Sequence, residues 1–295
     1  MTIRPRRSVL YMPGSNARAL EKAKTLQADV LILDLEDAVA PEVKETARTQ
    51  VCEAVSAGGY GRRELVIRIN APATPWGPED LEAAIAARPD AILVPKVSRA
   101  DDVRDIADRL AAAGAPGGIG LWAMMETPLA MLNAGEIAAT AADPRNRLKA
   151  FVMGTNDLAK ETRAAITADR APMLAWLSTS VAAARAYGID IVDGVYNDFR
   201  NEDGFAAECA QGRALGFDGK TLIHPSQIAP CNAAFSPGAD EIADARAIIA
   251  AFREPENEGK GAINLDGRMV ERLHLETAKR TVAIAEAIAS ADADA

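Results

Sequence analysis

The sequence predicts a (β/α)8 TIM barrel with a C-terminal helical extension, on three observations. Eight short runs rich in Val, Ile and Leu recur, at 8–12, 30–35, 65–70, 91–96, 120–125, 150–153, 190–192 and 219–223. Ala-rich helical patterns lie between them, as at 17–27, 41–56, 100–113 and 202–215. Several runs, VLILDL and AILVPK among them, are apolar at nearly every position, the pattern of parallel strands buried on both faces. Regular strand–helix alternation of this kind closes into a barrel. An open doubly wound sheet is the alternative. It requires a Gly-rich phosphate loop after an early strand, and neither GxGxxG nor a Walker motif is present.

The barrel is expected over 1–236. After Pro225 the pattern changes, and 237–295 reads as a helical extension. Helices are expected at 239–252 and 268–288, joined by the polar loop REPENEGKGAINLDG, which is expected to be exposed.

The composition, 49% hydrophobic and 25% charged over 295 residues, is that of a globular protein with a sizeable core. The net charge of −9 argues against nucleic acid as a partner, which needs a clustered basic face. The N-terminal apolar run is too short for a signal-peptide core, and no stretch approaches the roughly 18 apolar residues of a membrane span. Cys52, Cys209 and Cys231 show no CxxC spacing, so neither a disulfide framework nor a zinc site is expected. A cytoplasmic location fits these features. With only His224 and His274 as histidines, acid–base and metal chemistry falls mainly on carboxylates.

Active sites of such barrels lie at the C-terminal ends of the strands. There the sequence places Asp34, Glu36 and Asp37 (DLEDAV), Arg68 and Asn70 (RIN), Lys96 (PK), Glu126 (METP) and Asp157 (GTNDL). Packing needs no such repeated charge. Glu126 and Asp157 are the candidate metal ligands, because Mg²⁺ is usually held by one or two carboxylates, with water and substrate completing the shell; Mn²⁺ is the alternative metal. Each read alone is also a helix N-terminal carboxylate or an N-cap. Arg68 offers a bidentate fork to a substrate carboxylate, or else pairs with the DLED acids. Asp34, Glu36 and Asp37 are expected to orient Arg68 and metal-bound water. Lys96 reads equally as a functional cation and as a barrel-mouth salt bridge. His224, a lone histidine, is not assigned as a base.

RSVLYMPGS, DLEDAV, VIRIN, PK, METP, GTNDLAKE and LIHPSQ, in this order, resemble the HpcH/HpaI aldolase and citrate lyase beta-subunit superfamily over nearly the whole chain. VSRADDV, LWAMMET, IVDGVYNDFR and the tail LDGRMVERLH are similar to its (3S)-malyl-CoA thioesterase branch, with malyl-CoA and citramalyl-CoA lyases as near relatives. The resemblance implies a TIM barrel with Mg²⁺ on Glu126 and Asp157 and the substrate carboxylate on Arg68. It implies a CoA thioester over the barrel mouth, with Lys22, His224 and Pro225 as contacts, and a homotrimer or homohexamer. It also implies that the C-terminal extension acts as a lid. That lid carries a catalytic carboxylate at Glu271, within Met269-Val270-Glu271, where the lyases have aspartate. The implied reaction is hydrolysis of (3S)-malyl-CoA. The alternatives are reversible cleavage to acetyl-CoA or propionyl-CoA plus a 2-oxo acid, and a citrate lyase beta-like subunit dependent on an acyl carrier partner.

Overall fold

The computed structural model describes residues 4–293, in two compact units. In the first, Arg6–Ala234, eight parallel strands close into a barrel. They are β1 (Ser8–Pro13), β2 (Val30–Asp34), β3 (Glu64–Arg68), β4 (Ala91–Val94), β5 (Gly120–Met125), β6 (Leu148–Met153), β7 (Asp190–Asp193) and β8 (Gly219–Leu222). Pairing of β1 with both β2 and β8 closes the ring. Every strand lies within two residues of its predicted bounds.

Side chains alternate across a strand, so every second residue faces the barrel axis. Val9, Val30, Ile32, Val66, Leu93, Trp122, Met124 and Val152 fill the interior as one buried cluster. One further step along the same alternation brings up Tyr11 on β1, Asp34 on β2, Arg68 on β3 and, just past β5, Glu126. The axis is therefore apolar through its middle and charged at its C-terminal end. At the opposite end Arg6 pairs with Glu64 at 2.7 Å and with Asp190, and its guanidinium lies 4.9 Å over Trp122.

Helices fall where expected, with local differences. Glu202–Leu215 forms as predicted, capped by Asn201, whose side chain accepts from Gly204 N–H. The helix expected to reach residue 27 ends at Ala23, because the Thr25 hydroxyl donates to Lys22 O and takes over the next turn. The helix expected from 41 opens as a 3-10 turn, Pro41–Val43, before Lys44–Ala57.

The second unit comprises residues 235–293 with the N-terminal residues 4 and 5. Here the structure corrects the sequence reading. Residues 262–271 are neither loop nor helix but an antiparallel hairpin, β9 (Ala262–Leu265) and β10 (Arg268–Glu271). The turn is Asp266-Gly267, with φ of +49° and +80°, and two positive φ values in a two-residue turn are the type I′ geometry that suits strand twist. Ile263 and Val270 face each other across the hairpin and pack with Ala245, Ile248 and Ala278. The flanking helices are Ala239–Arg253 and Arg272–Ala293. Among the described residues no helix is long and apolar enough to cross a membrane.

Candidate active site

The first half of the site is built on β2 and β3. The register sets Asp34 beside Arg68. Arg68 Nε and Nη2 donate to the two oxygens of Asp34, each at 2.7 Å, a fork-on-carboxylate pair with Asp34 fully buried. The same oxygens accept from Glu36 N–H and Ala38 N–H, so Asp34 also folds the DLED turn. Arg68 Nη1 lies 2.9 Å from Glu36 Oε2 and 3.4 Å from Asp37, and the guanidinium stacks 4.8 Å over the Tyr11 ring. The Glu36 contact is off the N–H direction, leaving Oε2 a buried oxygen with no hydrogen-bond donor. Burial pushes the Glu36 carboxyl up to about 8, with the charges of Asp37, Glu126 and Asp34 adding to it and Arg68 opposing. Two groups brace this turn from behind. Lys44 Nζ donates to Leu35 O and Glu36 O at 2.9 Å, and Asn70 Nδ2 donates to Leu35 O at 2.8 Å.

The second half is built on β4, β5 and β6. Glu126 is buried and its Oε1 accepts from Lys96 N–H at 2.7 Å. A Cβ on Gly154 would stand 2.5 Å from Glu126 Oε2, so only glycine allows β6 this close to the carboxylate. Burial raises the Glu126 carboxyl to about 7 against the pull of Lys96. Asp157 lies in the first turn of helix Thr155–Thr162, where the helix dipole favours an anion. Lys96 Nζ lies 2.9 Å from Asp157 Oδ1, 3.5 Å from Glu161 Oε1 and 4.0 Å from Glu126 Oε1. Capping does not occupy either acid. The N-cap after β5 is Thr127, and the N-cap after β6 is Gly154.

Of the sequence-predicted residues, Asp34, Glu36, Asp37 and Arg68 thus form one cluster, and Lys96, Glu126 and Asp157 a second. His224 and Pro225 stand on the loop after β8. His224 stacks on Phe199 at 4.6 Å, its Nδ1 is 2.8 Å from Ser226 Oγ, and Pro225 opens a 3-10 turn. Lys22 is exposed in the last turn of Ala17–Ala23. Glu271 belongs to the C-terminal unit, at the end of β10, where its N–H donates to His274 Nδ1 at 3.0 Å. Sequence reasoning missed Tyr11, Lys44 and Glu161. Tyr11 was signalled by its alternation with Val9, and Glu161 by its i,i+4 spacing from Asp157.

A cavity of about 250 Å³ opens between the loops after β6 and β7, lined by Asn156, Ile166, Arg170, Tyr196 and Asn197 among others. Arg170 and Glu208 of its lining join Lys220 and Asp193 in a buried ion network.

A family model described as HpcH/HpaI aldolase/citrate lyase matches residues 7–225. The chain belongs to this family. Within the HpcH/HpaI family it is 53% identical to a (3S)-malyl-CoA thioesterase of Cereibacter sphaeroides, over 97% of this chain and 96% of that one. It is 36% identical to the citrate lyase subunit beta of Escherichia coli, over 96% and 94% of the two chains. Among solved structures, the protein CitE from Mycobacterium tuberculosis, in complex with magnesium, acetoacetate and coenzyme A, aligns with a TM-score of 0.76 at 31% identity, covering 96% of this chain and 98% of that one.

The donor chemistry at this HpcH/HpaI barrel mouth fits a divalent hard cation. Two carboxylates, Glu126 and Asp157, converge on one small region, and Glu36 adds a buried oxygen without a donor. Among the described residues no three Asp, Glu, His or Cys side chains form a closed metal cage. Mg²⁺ usually keeps several waters and takes one or two protein carboxylates.

Proposed function

We propose that this chain hydrolyses (3S)-malyl-CoA to malate and free CoA, in a reaction that requires Mg²⁺ at Glu126 and Asp157. The observation that carries this reading is the 53% identity, over nearly the full length, to a (3S)-malyl-CoA thioesterase. The metal bound to CitE, its structural neighbour, supports the cofactor. When bound, the metal supplies Lewis-acid polarisation of the substrate oxygens it touches; Mn²⁺ offers the same hard, octahedral chemistry.

The chain's own residues supply the rest. Arg68, held by Asp34 and stacked on Tyr11, is the donor to the malyl carboxylate. Asp34 keeps that guanidinium oriented, and Glu36 and Asp37 face its remaining N–H groups and the water around the site. Lys22 and the His224–Pro225 segment are the contacts for the CoA moiety. Glu271, carried on the C-terminal unit as a lid over a barrel mouth in a homotrimer or homohexamer, is the carboxylate for the acyl group. In hydrolysis, water oxygen adds to the thioester carbonyl carbon, the C–S bond breaks, and the sulfur leaves as a thiol with one proton from that water. Glu271 is the group that would take and return this proton.

Reversible carbon–carbon cleavage is the second reading, favoured by the 36% identity to a citrate lyase subunit beta. Incubation of the protein with (3S)-malyl-CoA and Mg²⁺, following thiol, malate, acetyl-CoA and trapped glyoxylate together, separates the two. Thiol and malate in equal amounts without glyoxylate are expected. Acetyl-CoA and glyoxylate in equal amounts would make the protein a lyase. Turnover of carrier-bound acyl groups alone would make it a complex subunit.

A further inference from the structure

Among the described residues Lys96 brings its ammonium within 4.0 Å of both proposed metal ligands, and its backbone there is unusual. Its backbone has φ +57°, in the left-handed region that a non-glycine residue enters at a cost. That conformation aims the Lys96 N–H at Glu126 Oε1, 2.7 Å away, while the side chain runs on to Asp157 Oδ1 at 2.9 Å. Glu126 is thus held by the main chain, and the ammonium is not needed to hold it, lying 4.0 Å off. A third acid, Glu161, stands 3.5 Å from the same Nζ. Asp157 and Glu161 are four apart on helix Thr155–Thr162, so they share one face and one lysine can move between them without backbone motion. The Lys96 side chain is about one-third exposed (34%), free enough to swing.

We propose that Lys96 is a built-in counter-cation that competes with the metal for Asp157 and is handed to Glu161 when the metal binds. A small mouth holding Glu126, Asp157 and Glu161 repels itself, and an ammonium among the three offsets that repulsion. A divalent ion brings twice the charge and displaces the ammonium from Asp157. Glu161, one turn along the helix, then keeps the lysine paired near the site. Lys96 acts here as a positioning residue, and its strained backbone keeps Glu126 aimed in both arrangements. The inference rests on the assignment of Glu126 and Asp157 as metal ligands.

Calorimetric titration of Mg²⁺ into the chelator-treated full chain tests it, in a double-mutant cycle of Lys96→Met and Glu161→Gln. Lys96→Met is expected to bind Mg²⁺ about tenfold more tightly than wild type, about 1.4 kcal/mol. Glu161→Gln is expected to weaken Mg²⁺ binding roughly three- to tenfold, because the displaced lysine loses its partner, yet by less than about twofold in the Lys96→Met background. Lys96→Gly relieves the left-handed strain and keeps the N–H to Glu126; it serves as the second lysine-free variant should Lys96→Met fold poorly. Equal effects of Glu161→Gln in both backgrounds would overturn the hand-off, and unchanged or weaker binding in the lysine-free variants would overturn the competition. Absence of Mg²⁺ binding by the wild-type protein would instead overturn the metal assignment itself, and this inference with it.

Discussion

The two halves of the barrel mouth use similar residues to opposite ends. On the β2–β3 side, Arg68 and Asp34 are both buried, each engages the other through two bonds, and main-chain N–H groups complete the carboxylate. Lys44 and Asn70 brace the turn from behind. That half is closed and rigid, a platform for orienting one guanidinium. On the β4–β6 side, Lys96 is shared among Glu126, Asp157 and Glu161 at 2.9 to 4.0 Å, and two of the three acids are partly exposed. That half holds more acid than base, and it is where the exchange of a cation is proposed.

Mutation separates the two halves, and the largest effect is expected on the β4–β6 side. Asp157→Asn and Glu126→Gln should each lower turnover on the order of a thousandfold or more, several kcal/mol of lost charge stabilisation, with little change in thermal stability. Circular-dichroism melts alongside steady-state assays check the pair. Next comes the rigid half, where Asp34→Ala leaves a buried guanidinium unpaired. A loss of about 3–5 kcal/mol in urea unfolding is expected, larger than for Asp157→Asn or Glu126→Gln. Equal destabilisation by Asp34→Ala and Asp157→Asn would erase the distinction between the halves. Arg68→Lys keeps the charge but not the fork, so turnover should fall roughly 10- to 100-fold, read as kcat/KM. The smallest effect is expected at the periphery. Lys22→Ala removes one exposed cation, worth up to about 1 kcal/mol, and should raise KM less than about fivefold with kcat unchanged.

Much of this was readable in the sequence because a parallel barrel has few ways to arrange itself. Runs such as VLILDL marked the strands, and charged residues at or just past the ends of five of the eight runs marked the C-terminal rim. What the sequence left open was which partner each charge takes. Whether Asp157 was a cap or a free carboxylate depended on backbone angles, which make Gly154 the cap. Arg68 proved to pair with Asp34 through the β2–β3 register, a contact between residues 34 apart in sequence. Tyr11 and Glu161 carried only weak signals, since tyrosine in a strand and glutamate on a helix are ordinary. The hairpin at 262–271 was readable and misread. LDGR holds the Asp-Gly turn signature, but the apolar spacing of the following helix drew the boundary back to residue 268.

We propose that thioester hydrolysis at this mouth depends on a metal held by Glu126 and Asp157. Its most direct test is thiol release from (3S)-malyl-CoA by chelator-treated protein as Mg²⁺ is titrated back, for wild type and Asp157→Asn in parallel. No release without metal, saturable recovery for wild type, and none for the variant at the same Mg²⁺ are expected. Full thiol release by wild type in excess chelator would contradict it.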